Sequence, residues 1–496
     1  MKEAPYLALE ARFHRLGALR EAGRVLQWDR ATMMPEGGAV ARAEQLATLK
    51  VMGHELLTDA ALPDLLAAAE SDNTLDDWQR ANLREMRRQW RHATALPSDL
   101  VAALSKASSA CEMAWRRARP ADDFAAILPD LARLLDLVRE VAAAKAAQLG
   151  KSPYEALLDA YEPDGSTAEI DRLFDRLAAI LPDLIDDALA HQQAMPAEIP
   201  PGPFPIATQR AAGLRLMAAL GFDFAHGRLD VSLHPFCGGT PDDVRITTRY
   251  DEADFTRALM AVLHETGHAL YERGLPASWR RQPVGAARGM SLHESQSLLV
   301  EMQVCRSREF LAFAAPLLRA SFGGDGAAWG ADNLHRLYTR VQRSLIRVDA
   351  DEVTYPAHVI LRYRLERAMI AGTLDPASLP QAWREGMQAL VGIAPPDDRN
   401  GCLQDVHWYD GAWGYFPTYT LGAMTAAQLF DTAKHADPAI VSGVARGEFA
   451  PLLQWLRTNV HAHASRYTTV ELIARATGRP LDAAVFEAHL RARYLA

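Results

Sequence analysis

The 496-residue chain has only four cysteines, Cys111, Cys237, Cys305 and Cys402, and no two are spaced as a CxxC pair. This argues against a thiolate zinc site and a disulfide framework and fits a reducing cytoplasm. Each cysteine reads as a small buried hydrophobe. No apolar run approaches the ~18 residues that span a bilayer. The opening "MKEAPYLALEARFHRLGALREAG" carries charges every few residues, so it lacks the apolar core of a secretory signal. An excess of basic residues is missing too. Asp and Glu total 62 against 53 Lys and Arg, a net charge of -9. That speaks against nucleic acid as the main partner, which needs a basic face. Arginine-rich stretches such as "REMRRQWRH" (Arg84–His92) have apolar residues at helical spacing and read as solvated helix faces. No fixed-period repeat or low-complexity tract is present.

What is there is an ordinary globular composition, 49% hydrophobic and 23% charged, enough for one large core or two to three modest ones. Apolar residues recur at three- and four-residue spacing in Tyr6–Leu19, Leu131–Leu149, Ile170–Ala190 and Leu345–Ile370, so the fold class is mainly α. Ser166 with Glu169 has the pattern of a capping box, and Pro97-Ser98-Asp99 opens another helix. "AMPAEIPPGPFP" (Ala194–Pro205) is a loop. Arg228–Tyr250 alternates instead, which predicts a small sheet or hairpin joined by "CGGTPDD". Gly392–Gly422, rich in Gly, Pro, Trp and Tyr, reads as a long ordered loop of the kind that carries function.

Directly after the predicted sheet comes "VLHETGHALYE" (Val262–Glu272), inside a helix predicted from Ala253 to Arg273. Acids at Asp251, Glu252 and Asp254 suit its start, and Gly274 with Pro276 its stop. His264 and His268 are four apart and project from one face, the spacing at which two imidazoles hold one zinc. Glu265 follows the first histidine, where its carboxylate reaches a metal-activated water. A third ligand is needed, and Glu294 in "MSLHESQSLLVEM" is the candidate, on a helix that returns beside the first. His293 is taken as a structural or supporting group pointing elsewhere. Glu301, two turns beyond Glu294, either orients a ligand or forms a salt bridge. Gly267 makes room for a close neighbour. Such a site lowers the pKa of water towards ~7, with Glu265 taking the proton and returning it to a leaving amine: amide hydrolysis.

Five short motifs then stand in order: Asp243-Val-Arg245-Ile-Thr247, His264–His268, His293-Glu294-Ser295-Gln296, Ile346-Arg347-Val-Asp-Ala350-Asp351 and Gly401-Cys-Leu-Gln404-Asp405-Val-His407-Trp408. With them the chain resembles the carboxypeptidase Taq family of HEXXH metallocarboxypeptidases, gluzincin type, over nearly its whole length. The resemblance implies a single metallocarboxypeptidase domain over 1–496, a large helical peptidase fold with a deep active-site cleft. Residues 1–95 would form a cleft wall or lid, and 228–422 would carry the catalytic core motifs. It implies a homodimer, one catalytic zinc per chain with cobalt as the alternative, and release of single C-terminal residues with broad preference.

An exopeptidase must hold the free carboxylate of its peptide, which a guanidinium does with two parallel charged bonds. Arg347 is the first candidate, because the resemblance puts its motif in the cleft. Arg245 is the second, although it can pair with Asp243 instead. His234 is a candidate for lining the cleft. By resemblance His407 and Tyr419 stabilise the oxyanion, with Tyr415 as the rival tyrosine. Two other readings stay open from sequence: an endo-acting zinc oligopeptidase, and a non-catalytic helical scaffold stabilised by metal. A structural site has no use for a general base such as Glu265.

Overall fold

The computed structural model describes residues 4–496; residues 1–3, the start of the charged N-terminal run, lie outside the described residues. The chain is mainly helical, with one three-stranded sheet. Among the described residues no helix is long and apolar enough to cross a membrane.

The helical segments read from periodicity lie within Pro5–Thr32, Phe124–Leu149 and Thr167–Gln193, and Ser98–Ala121 starts directly after Pro97. The capping box expected at Ser166 does not form. Its side chain makes no cap bond, and the Glu155 carboxylate accepts from the Thr167 amide and hydroxyl instead, both at 2.9 Å. A charged acceptor from a neighbouring helix outcompetes a local hydroxyl. Leu345–Ile370 is not one helix either. Arg347–Asp349 forms a short 3-10 turn, and the helix starts only at Tyr355 with Pro356 in its first turn. Asp351 interrupts the period by accepting from the amides of Gln342, Val353 and Thr354.

The sheet consists of β1 (Gly227–Val231), β2 (Phe236–Thr240) and β3 (Asp243–Thr248). β3 is central, parallel to β1 and antiparallel to β2. Cys237 to Thr240, expected in the connection, belong to β2, so only Pro241-Asp242 joins the hairpin. Alternation along β3 does what a two-residue period dictates. Val244 and Ile246 pack with Leu229 against Val262 and Ala269 of the motif helix (Phe255–Gly274). Arg245 faces the other way, over the Trp28 indole at 4.2 Å.

The motif helix is thus clamped on two sides. One face meets the sheet, and the other sends Leu259, Leu263 and Leu270 into a large apolar core with Leu292, Leu299 and Leu429. A helix with few polar positions suits such double burial. The N-terminal helices have their own small cluster of Leu9, Phe13, Leu62, Leu66 and Met86. A polar seam joins them to the segment after the motif helix: Asn82 bonds Gln282 and the Val284 amide. The arginine-rich stretch is not simply solvated. Arg88 and His92 reach Asp159, which is 2% exposed, and Glu85 pairs with the buried Arg288. Apolar spacing hid polar partners that only tertiary packing supplies.

Candidate active site

The motif helix starts at Phe255, where Asp254 caps it by accepting from the Thr256 amide at 2.9 Å. Ten residues on, the 3.6-residue period brings His264 and His268 to one side. Their rings lie 5.0 Å apart, edge to face. Glu294 comes from the helix Met290–Leu298, and its Oε2 is 3.8 Å from His264 Nε2 and 3.5 Å from His268 Nε2. The three donor atoms all lie within 4.8 Å of one another.

Two glycines permit this convergence. A Cβ on Gly267 would come within 2.5 Å of the Gln296 carbonyl oxygen, so only glycine lets the two helices approach. Gly422, in the helix Pro417–Ala436, faces Glu294; a Cβ there would meet the Glu294 Cβ and Cγ at 2.9 Å. The sequence reading expected the close neighbour of Gly267 but missed Gly422.

The other ring nitrogen of each histidine is held as well. Glu301 Oε2 bonds His264 Nδ1 at 2.9 Å, and its Oε1 pairs with Arg306 at 2.6 Å, so both sequence-derived roles of Glu301 coexist. Glu301 sits in a π-helical stretch, Leu299–Cys305, which continues the Glu294 helix. Such stretches gather at functional sites. His293 does not point elsewhere: its Nδ1 is 2.7 Å from His268 Nδ1, and its Nε2 is 2.9 Å from Glu272. Acceptance by Glu272 puts a proton on His293 Nε2. With a neutral His293, its Nδ1 would accept from His268 Nδ1–H and leave the His268 Nε2 lone pair free. Glu272, one turn after His268, and Arg306 went unremarked in the sequence. Only the one-turn spacing of Glu272 hinted at its role.

Two imidazole nitrogens and one carboxylate, each imidazole oriented from behind, fit a divalent cation. The charges fit as well. Burial opposes the charge of Glu294, but the imidazoles of His264 and His268 outweigh it and hold the carboxyl well below its usual range. Glu265 is 7% exposed, and burial pushes it up to about 7, against the pull of His264 and with help from Glu294.

The remaining candidates form an aromatic and cationic wall. The ordered loop ends at Phe416, earlier than expected, because Pro417 starts a helix whose first turn carries Tyr419. Tyr419 lies 5.0 Å from the Arg347 guanidinium and packs edge-on with Tyr415 and Tyr355. The charge of Glu294 acts on all three phenols. Arg347 is buried, with Nε and Nη2 on Asp405 Oδ1 at 3.1 and 2.8 Å and Nη1 on the Tyr355 hydroxyl. Arg362 takes the other oxygen of Asp405 at 2.6 Å. His407 packs on Phe416 and Tyr415; burial pushes its imidazole down to about 4, with Asp405 opposing and Arg347 and Arg362 reinforcing. The structure does not bring Arg245 and His234 into this group. Arg245 is forked onto Asp243 at 3.0 and 2.7 Å, the alternative its sequence context allowed. His234 is exposed in the turn between β1 and β2.

Comparison with known proteins agrees with this geometry. A family profile described as carboxypeptidase Taq (M32) metallopeptidase matches residues 8–494. Thermostable carboxypeptidase 1 of Thermus thermophilus is 40% identical over 489 residues, 96% of each chain. Carboxypeptidase 1 of Bacillus subtilis is 32% identical, covering 97% of this chain and 96% of its own. Among solved structures, Trypanosoma cruzi metallocarboxypeptidase 1 superposes with a TM-score of 0.97 at 40% identity over 99% of both chains. A Pyrococcus furiosus carboxypeptidase gives 0.95 at 33% identity over 100% of both. The five motifs, the convergent donor set and full-length similarity agree: the chain belongs to the M32 carboxypeptidase Taq family of metallopeptidases, hydrolases of peptide bonds that depend on a divalent metal.

Proposed function

We propose that this metallocarboxypeptidase removes single residues from the free C-terminus of peptides, with broad preference, using His264, His268 and Glu294 as metal ligands and Glu265 as general base. The observation that carries this is the convergence of three donors beside a buried carboxylate poised near neutral. His264, His268 and Glu294 would hold a divalent ion, zinc or cobalt, which would supply acidification of a water and polarisation of a carbonyl. Glu265 accepts the proton of the attacking water and delivers it to the leaving amine. His407, neutral near pH 7, and Tyr419 donate hydrogen bonds to the developing oxyanion, with Tyr415 as the alternative donor.

Two guanidiniums, Arg347 and Arg362, share the single carboxylate of Asp405, so their cluster carries an uncompensated positive charge. That excess supports Arg347 as the group that attracts the terminal carboxylate of the substrate. A substrate role for Arg245 requires its pair with Asp243 to open, and His234 lies exposed in the turn between β1 and β2. The N-terminal helices, with their own apolar cluster and polar seam, suit a wall or lid over residues 1–95. The same reading takes the enzyme as a single-domain cytoplasmic homodimer, in keeping with four free cysteines.

The test is a mass-spectrometric time course on one unstructured peptide with free and amidated C-termini, after chelation and after adding back zinc or cobalt. A ladder losing one C-terminal residue at a time, only with a free terminus and only with metal, is expected. Internal fragments from both peptides would instead mean an endo-acting oligopeptidase. No cleavage with metal demonstrably bound would mean a non-catalytic scaffold.

A further inference from the structure

Away from the metal ligands lies a cavity of about 310 Å³ between the end of the helix Thr167–Gln193, the helix Ala331–Tyr338 and the C-terminal helix Ala483–Tyr494. Its lining includes Arg308, Arg336, Arg340, Arg493, His191 and His335, the last residue, Ala496, and no aspartate or glutamate side chain. The arginines are poorly matched by carboxylates. Arg308 has only the exposed Asp332 at 3.6 Å. Among the described residues, Arg336 and Arg340 have no carboxylate within salt-bridge distance, and the buried Nε of Arg336 has no hydrogen-bond partner. Arg493 does pair with Glu352 at 3.0 Å, but Glu352 also serves His489 and Tyr494.

His335 supplies an independent sign. It is 6% exposed, lines the cavity, and its imidazole has no hydrogen-bond partner among the described residues. Burial pushes the imidazole down to about 4, with Arg308 and Arg493 reinforcing the shift and Asp332 opposing it.

We propose that this cavity binds a small phosphate monoester and that its occupancy is felt at the metal site. Arginine forks match phosphate oxygens, and several guanidiniums favour a dianion over a monocarboxylate. The volume sits at the lower end of the ~300–1,000 Å³ typical of small-molecule sites. It leaves room for a small organic body against Ala188, Met195 and Val341 beside the phosphate. Two hydrogen-bond routes join the cavity to the metal ligands. Arg493 donates to the carbonyls of Met302 and Gln303 in the π-helical stretch that carries Glu301. The Tyr338 carbonyl accepts from Arg306, which pairs with Glu301, the partner of His264. A ligand that draws on Arg493 or shifts the Ala331–Tyr338 helix therefore acts on the group orienting His264.

The test titrates glycerol phosphate, inorganic phosphate and, at matched ionic strength, sodium chloride into the metal-loaded full chain. Calorimetry reads binding, and peptide hydrolysis reads the effect. Saturable binding is expected, tighter for the ester than for inorganic phosphate, with a change in peptidase rate. Arg340→Ala, at an exposed position that should fold normally, should weaken binding roughly tenfold, the size of one charged hydrogen bond. His335→Gln serves as the second variant. Equal or tighter binding of inorganic phosphate would make the ligand free phosphate and overturn the ester. No saturable binding beyond the chloride control, or binding unchanged in both variants, overturns the site. Binding with an unaltered peptidase rate overturns the link to the metal site. The calorimetric readout stands whatever roles the peptidase residues prove to have.

Discussion

His268 Nδ1 lies 2.7 Å from Nδ1 of His293, which is itself held by Glu272 at 2.9 Å. The contact holds the His268 ring in place. His293→Phe keeps the ring volume but removes the acceptor. It should weaken metal binding about 10–100-fold, the usual cost of losing an outer-shell partner. Zinc titration against a competing chelator measures this. Wild-type affinity in the variant would mean that the contact is only packing.

Glu265 is buried next to His264 and is not itself part of the candidate donor set. Glu265→Gln should therefore bind metal as the wild type does while losing at least ~10²-fold in kcat, the low end for loss of a general base. Metal analysis and steady-state kinetics on the same preparation separate the two effects. Turnover within a few fold of wild type would sink the assigned mechanism.

The glycines give a contrast within one substitution type. Gly267→Ala puts a Cβ against backbone that cannot rotate away, so a loss of ~1–3 kcal/mol is expected despite alanine's better helix propensity. Gly422→Ala presses on Glu294 itself and should also lower metal affinity. Gly23, in the first helix, has nothing within 4 Å of its would-be Cβ, so Gly23→Ala should stabilise by up to ~1 kcal/mol. Chemical unfolding of the three variants checks the order.

Acid should destabilise the fold through buried neutral histidines. Burial pushes His358 and His461 down to about 3 from 6.5. Below pH 6.5 the unfolded chain takes up these protons and the folded chain does not. Their contribution is therefore whole above pH 6.5 and is lost as pH falls towards about 3. Each should cost about 1.4 kcal/mol per pH unit in that window. Urea unfolding at pH 7.0 and 5.5 should register the loss, and His358→Asn should reduce its slope. Equal stability at both pH values would contradict the burial of these groups.

The sequence by itself determined the helical class, the two-histidine face, Glu265 beside it, and a glutamate on a returning helix as the candidate third donor. All of these follow from local periods, 3.6 for helix and 2 for strand, or from short motifs. Tertiary structure decided the rest, because the deciding partners are far apart in the chain. Glu155 replaces Ser166 as a cap, Asp159 turns an apparently solvated arginine face inward, and Asp351 splits a helical period. Arg306 reaches His264 through Glu301, and Gly422 lets one helix close on Glu294 from 128 residues downstream. A hydrogen bond or a van der Waals limit acts over a few ångströms of space. The sequence records only distance along the chain.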